Sequence, residues 1–305
     1  MPAYNFKRET KLYVVRDNLR YAINIYPDLS FSQTFDETAV QVKTLHSQYD
    51  SVEDAVITKA NPANFSFTIP VILNNDLDVI FDLLLNYDLN SAEAILKTAD
   101  LYLQSNSVIY KLEKAVIESG TFNIQKDSVL LLSVSGSAAR LSTYTEALPG
   151  ILQTPSTDLA FSYVNAMYVA VNNDVQNAIT SVSIEVKNDV EWVGYATIQD
   201  SISNLELASG VHQTPGAFVV RSRTLNGTIQ QYITEDMQKY TNTWSTSASI
   251  DVKVGSSDSN WALQFLIPRA VYTNRSEMQD LLIQSYDFRM TANVPFNTVI
   301  LKRSI

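Results

Sequence analysis

Cysteine is absent from this chain of 305 residues, and histidine occurs only twice. The first absence excludes disulfides, thiolate metal sites and thiol catalysis, and it is typical of a protein made in a reducing cytoplasm. The scarcity of histidine excludes metal sites built on Cys or His clusters. Only 8 glycines are present, and they form no dinucleotide-binding or phosphate-binding loop. The common cofactor-binding signatures are therefore missing.

Basic residues are also scarce, with Lys+Arg 22 against Asp+Glu 32 and a net charge of −10. Affinity for DNA comes mainly from Lys and Arg that neutralise phosphates, so this deficit argues against a protein that grips nucleic acid. No apolar run approaches the roughly 18 residues of a membrane-spanning helix. The first ten residues contain no apolar segment of a secretory signal. We therefore expect no membrane span and no secretion signal.

No residues with catalytic chemistry stand at a usable spacing. The two histidines, His46 and His212, lie in loop-like segments. Asp50, Glu53 and Asp54 have the i, i+3, i+4 spacing of one helical face, a pattern more typical of a solvated turn than of a hydrolytic carboxylate pair. We predict that the protein is not an enzyme, and that it has no catalytic residues, no cofactor and no bound metal.

Most of the sequence has the period-two patterning and the Val, Ile, Thr and Tyr enrichment of β-strands. Clear examples of these strand patterns are Lys11–Val15, Val108–Val116, Val129–Val134, Ile179–Val186 and Trp261–Pro268. Helical spacing or capping signals occur at only four places, Asp76–Tyr87, Ser91–Ala99, Thr234–Tyr240 and Asn274–Gln284. This balance predicts an α+β fold that is mostly β.

Turn residues near the middle of the chain predict a domain boundary. The segment Ser142–Thr157 is polar and is punctuated by Pro149, Gly150 and Pro155. We expect a first domain over residues 1–145, a linker over residues 146–160 and a second domain over residues 161–305. Two other segments, 36–61 and 199–216, are long and have weak periodicity, and long loops inside compact domains are typical of functional or interaction elements.

The two halves of the sequence show a faint repeat of elements at an offset near 157 residues. The three matched pairs are Tyr21–Phe35 with Asn177–Glu191, Asn64–Val71 with Arg221–Thr228, and Asp127–Gly136 with Tyr286–Val294. All three pairs keep one order and nearly one offset, although residue identity is low. A repeat of this length predicts a duplicated domain rather than a solenoid unit.

Charge is distributed unevenly along the chain. Residues 1–20 carry a net charge of +3, so the remaining residues carry −13. One interpretation is a chance fluctuation of composition. The other is self-assembly in which the basic end of one copy meets the acidic body of another.

Three stretches together resemble one protein family. They are Phe6–Phe35, Ala115–Leu141, and Asn177–Val193 with the following Phe218–Thr228. Their order is similar to that of bacteriophage tail-tube proteins whose subunit carries two tube domains in tandem. The resemblance implies two β-sandwich or half-barrel domains, each flanked by a helix, and three chains forming a pseudo-hexameric ring.

The same resemblance implies the role of the protein. Rings would stack into a tube in the tail of the virion, assembled in the host cytoplasm with terminator, baseplate and tape-measure proteins as partners. DNA would pass during ejection through an acidic channel without specific binding. The first alternative is a tube-like component of the baseplate or hub. A less favoured one is a β-sandwich module that binds a carbohydrate or receptor.

The basic N-terminal arm and the first long loop are the candidate contacts between stacked rings, because of their charge, length and position. The candidate residues are Lys7, Arg8, Lys11, Thr44, His46, Tyr49, Asp50 and Glu53.

Overall fold

The computed structural model describes residues 10–40, 54–71, 77–85, 96–105, 108–125, 127–154, 164, 166–193, 214–232, 247–257, 260–278, 283–292, 294 and 296–302. We call the residues before the predicted linker the N-terminal half and those after it the C-terminal half. Within the described part, the elements are mostly strands, as the sequence predicts. No helix among these residues is long and apolar enough to cross a membrane.

The described residues of the N-terminal half form ten strands and one helix. These are β1 Lys11–Arg16, β2 Leu19–Ile23, β3 Ser30–Ser32, β4 Phe35–Val40, β5 Asp54–Ala60, β6 Ala63–Pro70, α1 Leu77–Leu85, β7 Ala99–Ser105, β8 Val108–Gln125, β9 Leu131–Ala138 and β10 Arg140–Tyr144. The remaining elements are β11 Ile151–Leu152, β12 Ala166–Val171, β13 Asp174–Val175, β14 Ile179–Val193, β15 Ala217–Tyr232, β16 Ala248–Ser257, β17 Asn260–Met278, β18 Ile283–Met290, the one-turn helix α2 Phe296–Val299 and β19 Ile300–Lys302.

The two halves have the same pattern of antiparallel strand pairing. In the N-terminal half the order is β2-β1-β7-β8-β9-β6-β3, and β10 also pairs with β8. In the C-terminal half the order is β13-β12-β16-β17-β18-β15-β14, and β19 also pairs with β17. Each of these seven pairings in one half therefore has a counterpart in the other.

Both halves begin with a two-residue hairpin. Asp17 and Asn18 join β1 to β2 with φ of 49° and 62°, and Asn172 and Asn173 join β12 to β13 with φ of 51° and 67°. Two consecutive positive φ angles define the turn whose twist matches that of paired strands, and Asn and Asp tolerate this conformation best. The same local chemistry therefore starts each half.

One antiparallel pair joins the sheets of the halves. Ser119–Gln125 of β8 pairs with Ser181–Lys187 of β14. The result is a continuous eight-stranded sheet in the order β3-β6-β9-β8-β14-β15-β18-β17. The buried apolar residues form one cluster that contains members of both halves.

The core is built where helix α1 packs on this sheet. Leu77, Ile80 and Leu84 of α1 are buried, and the ring of Phe81 lies 5.9 Å from that of Phe122 on β8. The ring of Phe122 in turn lies 5.1 Å from that of Phe265 on β17. An aromatic row thus runs from the helix of one half into a strand of the other.

Two predictions about helices have clear outcomes. The helix predicted over Asp76–Tyr87 is confirmed as α1 over its described part. The helix predicted over Asn274–Gln284 is wrong, because Asn274–Met278 continues strand β17 and pairs with β18. The cap-like spacing of Asn274 and Glu277 is a local signal, and the pairing of a long strand overrides it.

The other two predicted helices are only partly covered by the described residues. Of Ser91–Ala99, the described residues 96–99 are not helical, and Ala99 begins β7. The helix predicted over Thr234–Tyr240 lies outside the described residues.

The first predicted loop, residues 36–61, is largely a hairpin in its described part. Strands β4 and β5 pair with each other from Phe35↔Ala60 to Val40↔Asp54, so the expectation of an irregular loop is wrong there. Within the predicted linker, β11 pairs with β2 in parallel. The domain boundary itself stays a prediction.

Candidate functional site

The eight-stranded sheet has one face of small polar side chains, which we call the polar sheet face. Its members alternate along the strands with buried residues, and the pairing registers place them on one side. They are Ser30, Ser32, Asn64, Ser66, Thr68, Ser119, Thr121, Asn123, Ser133, Ser135, Ser181, Ser183, Glu185, Lys187, Thr224, Asn226, Thr228, Gln230, Ser285, Asp287 and Arg289.

The opposite face of the same strands is apolar and buried. Phe65, Phe122, Ile184, Leu225 and Phe288 are each at most 3% exposed. This strict alternation fixes the register of the sheet, because a slip by one residue would turn the phenyl rings to solvent and the hydroxyls into the core. The sequence therefore holds the polar side chains on one continuous surface.

Hydrogen bonds run across the strands of the polar sheet face. The hydroxyl groups of Ser30 and Ser66 are 2.8 Å apart, and the Thr228 hydroxyl donates to Asp287 at 2.7 Å. At the junction between the halves, the Ser183 hydroxyl donates to the Asn123 side-chain oxygen at 3.3 Å. Side chains that are short and bonded to one another make a surface with few free charged groups.

Formal charge is balanced among the named members of this face. They include two carboxylates, Glu185 and Asp287, and two basic groups, Lys187 and Arg289. The Asp28 carboxylate also accepts a hydrogen bond from the Thr68 hydroxyl on this face. The other named members are uncharged hydroxyl or amide residues. Such a surface offers no cluster of cations to hold phosphates, so a polyanion that touches it gains little binding energy.

A concavity of about 520 Å³ lies on the same face beside the junction. Most of the residues that line it are polar, among them Thr121, Glu185, Asn226, Asp287 and Arg289. Within the described residues, no group of three or more His, Asp or Glu side chains is placed to hold a metal ion. The concavity is thus a polar depression in the sheet surface.

Arg223 of β15 ties the C-terminal half to helix α1. Its Nη2 donates to the carbonyls of Leu84 at 2.9 Å and Leu85 at 3.1 Å, and its Nε donates to Asn188 Oδ1 at 2.7 Å. The guanidinium also lies 4.6 Å from the ring centre of Phe296. A cation at the carboxyl end of a helix is favourable because the last carbonyls there lack partners within the helix.

Asn188 completes this contact from β14. Its side chain is 1% exposed, and its Nδ2 donates to the carbonyls of Ile117 at 2.9 Å and Leu84 at 3.3 Å. One buried amide therefore links the long strand β8, the end of α1 and Arg223.

A second polar link between the halves involves Trp192. Its indole nitrogen donates to the Ser137 hydroxyl at 2.7 Å, and that hydroxyl donates to the Glu118 carboxylate. Burial raises the pKa of Glu118, against the opposing effect of the Ser137 hydrogen bond. The link places a partly desolvated carboxylate where the sheets of the two halves meet.

The predicted ring-to-ring contacts are described at one position only. Lys11 is exposed at the start of β1, whereas Lys7, Arg8, Thr44, His46, Tyr49, Asp50 and Glu53 lie outside the described residues. Two further cations of the basic arm have partners inside the chain: Arg16 pairs with Asp82, and Arg20 donates to the Leu148 carbonyl at 2.8 Å. The inter-ring role of the eight residues stays a prediction.

Sequence reasoning did not single out the polar sheet face. Its signal is the regular return of Ser and Thr at every second position, as at Ser133 and Ser135 or at Ser181 and Ser183. Alternation predicts that these segments are strands, but which strands meet to make one surface depends on pairings over long sequence distances.

Comparison with known proteins identifies the family. The model of the bacteriophage baseplate tube protein family matches residues 2–302. The chain belongs to this family. It is therefore a structural component of the phage tail or baseplate, located in the virion and assembled with other proteins of that machinery.

One solved structure is similar at low identity. It is a chain of the anti-feeding prophage (AFP) baseplate, determined by cryo-electron microscopy with 6-fold symmetrisation. The match has 11% sequence identity and a TM-score of 0.35, and it covers 48% of this chain and 99% of that chain. No curated protein matches the chain.

Proposed function

We propose that this chain is a ring-forming subunit of the baseplate tube. Three copies would form a closed ring, and each copy would supply two tube domains, one per half. The polar sheet face would line the channel through which DNA passes. The observation that carries this proposal is the β8–β14 pair, which joins the sheets of the two halves into one eight-stranded wall.

Several features support two duplicated tube domains. Seven strand pairings recur in the same order, and both halves start with a two-residue hairpin of positive φ. A chain with two such domains presents two sheet segments to a ring. Three chains would then supply six segments, the pseudo-hexamer that the resemblance to tail-tube proteins implies.

The polar sheet face suits a channel wall that must let DNA slide. Short hydroxyl and amide side chains bonded to each other provide no cation cluster that would release counterions from a phosphate backbone. The net charge of −10 for the whole chain adds long-range repulsion between protein and DNA. An acidic channel stays part of this proposal, although the named members of the polar sheet face carry equal numbers of acidic and basic groups. The role needs no catalytic group.

The baseplate position is favoured over a long tail tube by the family match. A baseplate component would assemble into a limited number of rings, whereas a tail-tube subunit would polymerise. The two roles use the same subunit contacts within a ring, so they are distinguished by stacking.

Negative-stain microscopy of the purified protein, together with its solution mass, tests the proposal. We expect rings of three chains with a central hole. Isolated rings or short stacks would support the baseplate role, and long hollow tubes with a regular repeat would support the tail-tube role instead. A monodisperse monomer at high protein concentration would contradict the ring-forming role and favour a binding module.

A further inference from the structure

Strands β8 and β14 join the two halves, and each has a counterpart in the other half. The counterpart of β8 is β17 and the counterpart of β14 is β3, and these two strands lie at the two ends of the eight-stranded sheet. Strand β8 has β9 on one side over Ser119–Asn123 and β14 on the other. In the C-terminal half, Asn274–Met278 of β17 has β18 on one side. At the far end, β3 has β6 on one side. Among the described residues, no strand pairs with the outer edge of either segment.

Two bulges establish which residues of β17 correspond to those of β8. The first bulge shifts the β7–β8 register between Ala99 and Leu101, where Ala99 is paired with Ala115. It also shifts the β16–β17 register between Ala248 and Ile250, where Ala248 is paired with Ala270. In the second, the register shifts between Ile117/Ser119 on β8 and between Tyr272/Asn274 on β17. Both bulges give one alignment, in which Ser119 corresponds to Asn274 and Asn123 to Met278. Because a bulge adds a residue at a defined place, it is a stricter marker than sequence identity.

A third bulge aligns β14 with β3 and β4. In the hairpin β14–β15 the register shifts between Asp189 and Val190, with one extra residue on the returning strand. In the hairpin β4–β5 it shifts between Asp36 and Glu37, again with one extra residue on the returning strand. Asp189 therefore corresponds to Asp36. By the same alignment Glu185 corresponds to Ser32, and Ser183 corresponds to Ser30.

We propose that Asn274–Met278 of one copy pairs antiparallel with Ser30–Thr34 of the next copy, and that this pair closes the ring. The register follows from the internal junction, where Thr121 is opposite Glu185 and Asn123 is opposite Ser183. Ser276 of one copy would then be opposite Ser32 of the next, and Met278 opposite Ser30. This inference rests on the proposed ring and adds the identity of the contact.

The second copy is the occupant that the structure favours. Every chain has one β17 edge and one β3 edge, so the contact is head to tail and each copy uses both. Unpaired backbone groups at a sheet edge gain hydrogen bonds when a strand is added. The internal junction shows that this fold accepts a strand of the β14 type next to a strand of the β8 type. The inferred contact repeats that arrangement between chains.

Disulfide trapping tests the register, because the chain contains no cysteine of its own. Residues opposite each other in an antiparallel pair have Cα atoms about 4.5–5.5 Å apart, which lies within the range of about 4.4–6.8 Å that a disulfide bridges. The double variant Ser32→Cys/Ser276→Cys should therefore give covalent trimers on mild oxidation. An equal mixture of the two single variants should give covalent dimers.

Two control variants test whether the crosslinks report the inferred register. Asn123→Cys/Ser183→Cys reproduces the internal junction and should crosslink within one chain, so that it migrates as a monomer on a denaturing gel. Ser30→Cys/Ser276→Cys is displaced by two residues from the inferred register. Its Cα atoms would be about 7–8 Å apart, so we expect it to crosslink at least tenfold more slowly than Ser32→Cys/Ser276→Cys.

A labelling experiment gives an independent readout that does not depend on disulfide geometry. Ser276→Cys carrying a bulky maleimide should fail to form rings, whereas the same label on Asp174→Cys, at the other end of the C-terminal half, should leave rings intact. Far-UV circular dichroism of both labelled proteins checks that each is folded.

The outcomes separate this inference from the proposed function. Rings that form without the 32–276 crosslink, or with a faster 30–276 crosslink, would overturn the register and leave the ring-forming role standing. Monomers that give no crosslink at any concentration would overturn both. Crosslinked trimers together with loss of rings in labelled Ser276→Cys would support both.

Discussion

Replacing Arg223 with methionine should destabilise the fold by about 3 kcal/mol. The guanidinium donates three hydrogen bonds, to the carbonyls of Leu84 and Leu85 and to Asn188 Oδ1. Hydrogen bonds from a charged group contribute roughly 1.5–3 kcal/mol each. The sum is smaller than three such values, because Leu84 also accepts from Asn188, and because methionine retains part of the apolar packing against Phe296.

The magnitude also depends on where the lost charge lies. A cation in the last turn of a helix stabilises it by about 0.3–1 kcal/mol when exposed and by more when partly buried. In Arg223→Met the carbonyl of Leu85 loses a donor from the opposite half of the chain. We therefore expect helix α1 and the sheet of the C-terminal half to lose stability together, in one cooperative transition.

Urea denaturation followed by circular dichroism and tryptophan fluorescence measures this loss. The matched control is Arg221→Met on the same strand, because the Arg221 side chain is 63% exposed and pairs with an exposed Glu191. A surface pair of this kind contributes at most about 1 kcal/mol. Equal losses in the two variants, or a loss below about 0.5 kcal/mol in Arg223→Met, would refute the role assigned to Arg223.

Three further predictions concern single positions. Glu118→Gln should become more stable relative to the parent as pH rises above the ordinary carboxyl pKa of 4.5, because burial raises the pKa of Glu118 and the parent loses stability as this carboxyl ionises; parallel urea titrations at several pH values would show no such trend if the carboxylate were fully solvated. Gly136→Ala should cost about 2 kcal/mol, because a Cβ there meets the Val116 carbonyl and the Phe65 ring, and thermal unfolding unchanged from the parent would contradict this. Asp82→Asn should cost about 1 kcal/mol by removing the partner of Arg16 and Lys97, with a smaller cost at high salt; a cost independent of salt would point to packing instead.

The predictable part of the fold is the part that local patterns determine. Helix α1 follows from apolar residues at helical spacing, and β9 and most of β14 follow from alternation. The sequence predicts a strand that ends at Val116, whereas strand β8 runs on through Gly120 to Gln125. Gly120 is the position where Leu84 of α1 packs so closely that a Cβ has no room. Its glycine therefore serves packing and does not mark a turn.

Pro268 is a second position where a local signal predicts the wrong strand end. The sequence predicts a strand over Trp261–Pro268 that ends at this proline. Strand β17 runs on for ten residues beyond it. The proline lies in the bulge between the pairs Ile250↔Ile267 and Ala248↔Ala270, a place where a missing backbone N–H breaks no ladder hydrogen bond. A proline therefore marks a strand end only where the ladder would need its hydrogen.

Most of the candidate site depends on long-range pairing, which sequence patterns do not reveal. The polar sheet face exists because β8 pairs with β14. The local sequences of Ser119–Gln125 and Ser181–Lys187 do not indicate that these two segments pair with each other. The repeat in the sequence predicts an order of elements with an offset near 157 residues. In the structure Ser119 corresponds to Asn274, whereas Asp36 corresponds to Asp189. The offset therefore differs from strand to strand, because the segments that connect the strands differ in length, and element order is kept where a residue-by-residue alignment fails.

The outer edges of the sheet also explain how one fold can be a stable subunit and still assemble. Sheet edges are normally blunted by charged residues, and Asn274–Met278 contains Arg275 and Glu277. The internal junction, however, contains Glu185 and Lys187 within the paired part of β14. Charged residues within a strand therefore do not by themselves prevent that strand from pairing in this fold. Charges along an exposed edge disfavour unspecific edge-to-edge aggregation, and the inferred contact between copies requires only that one specific strand can still be added there.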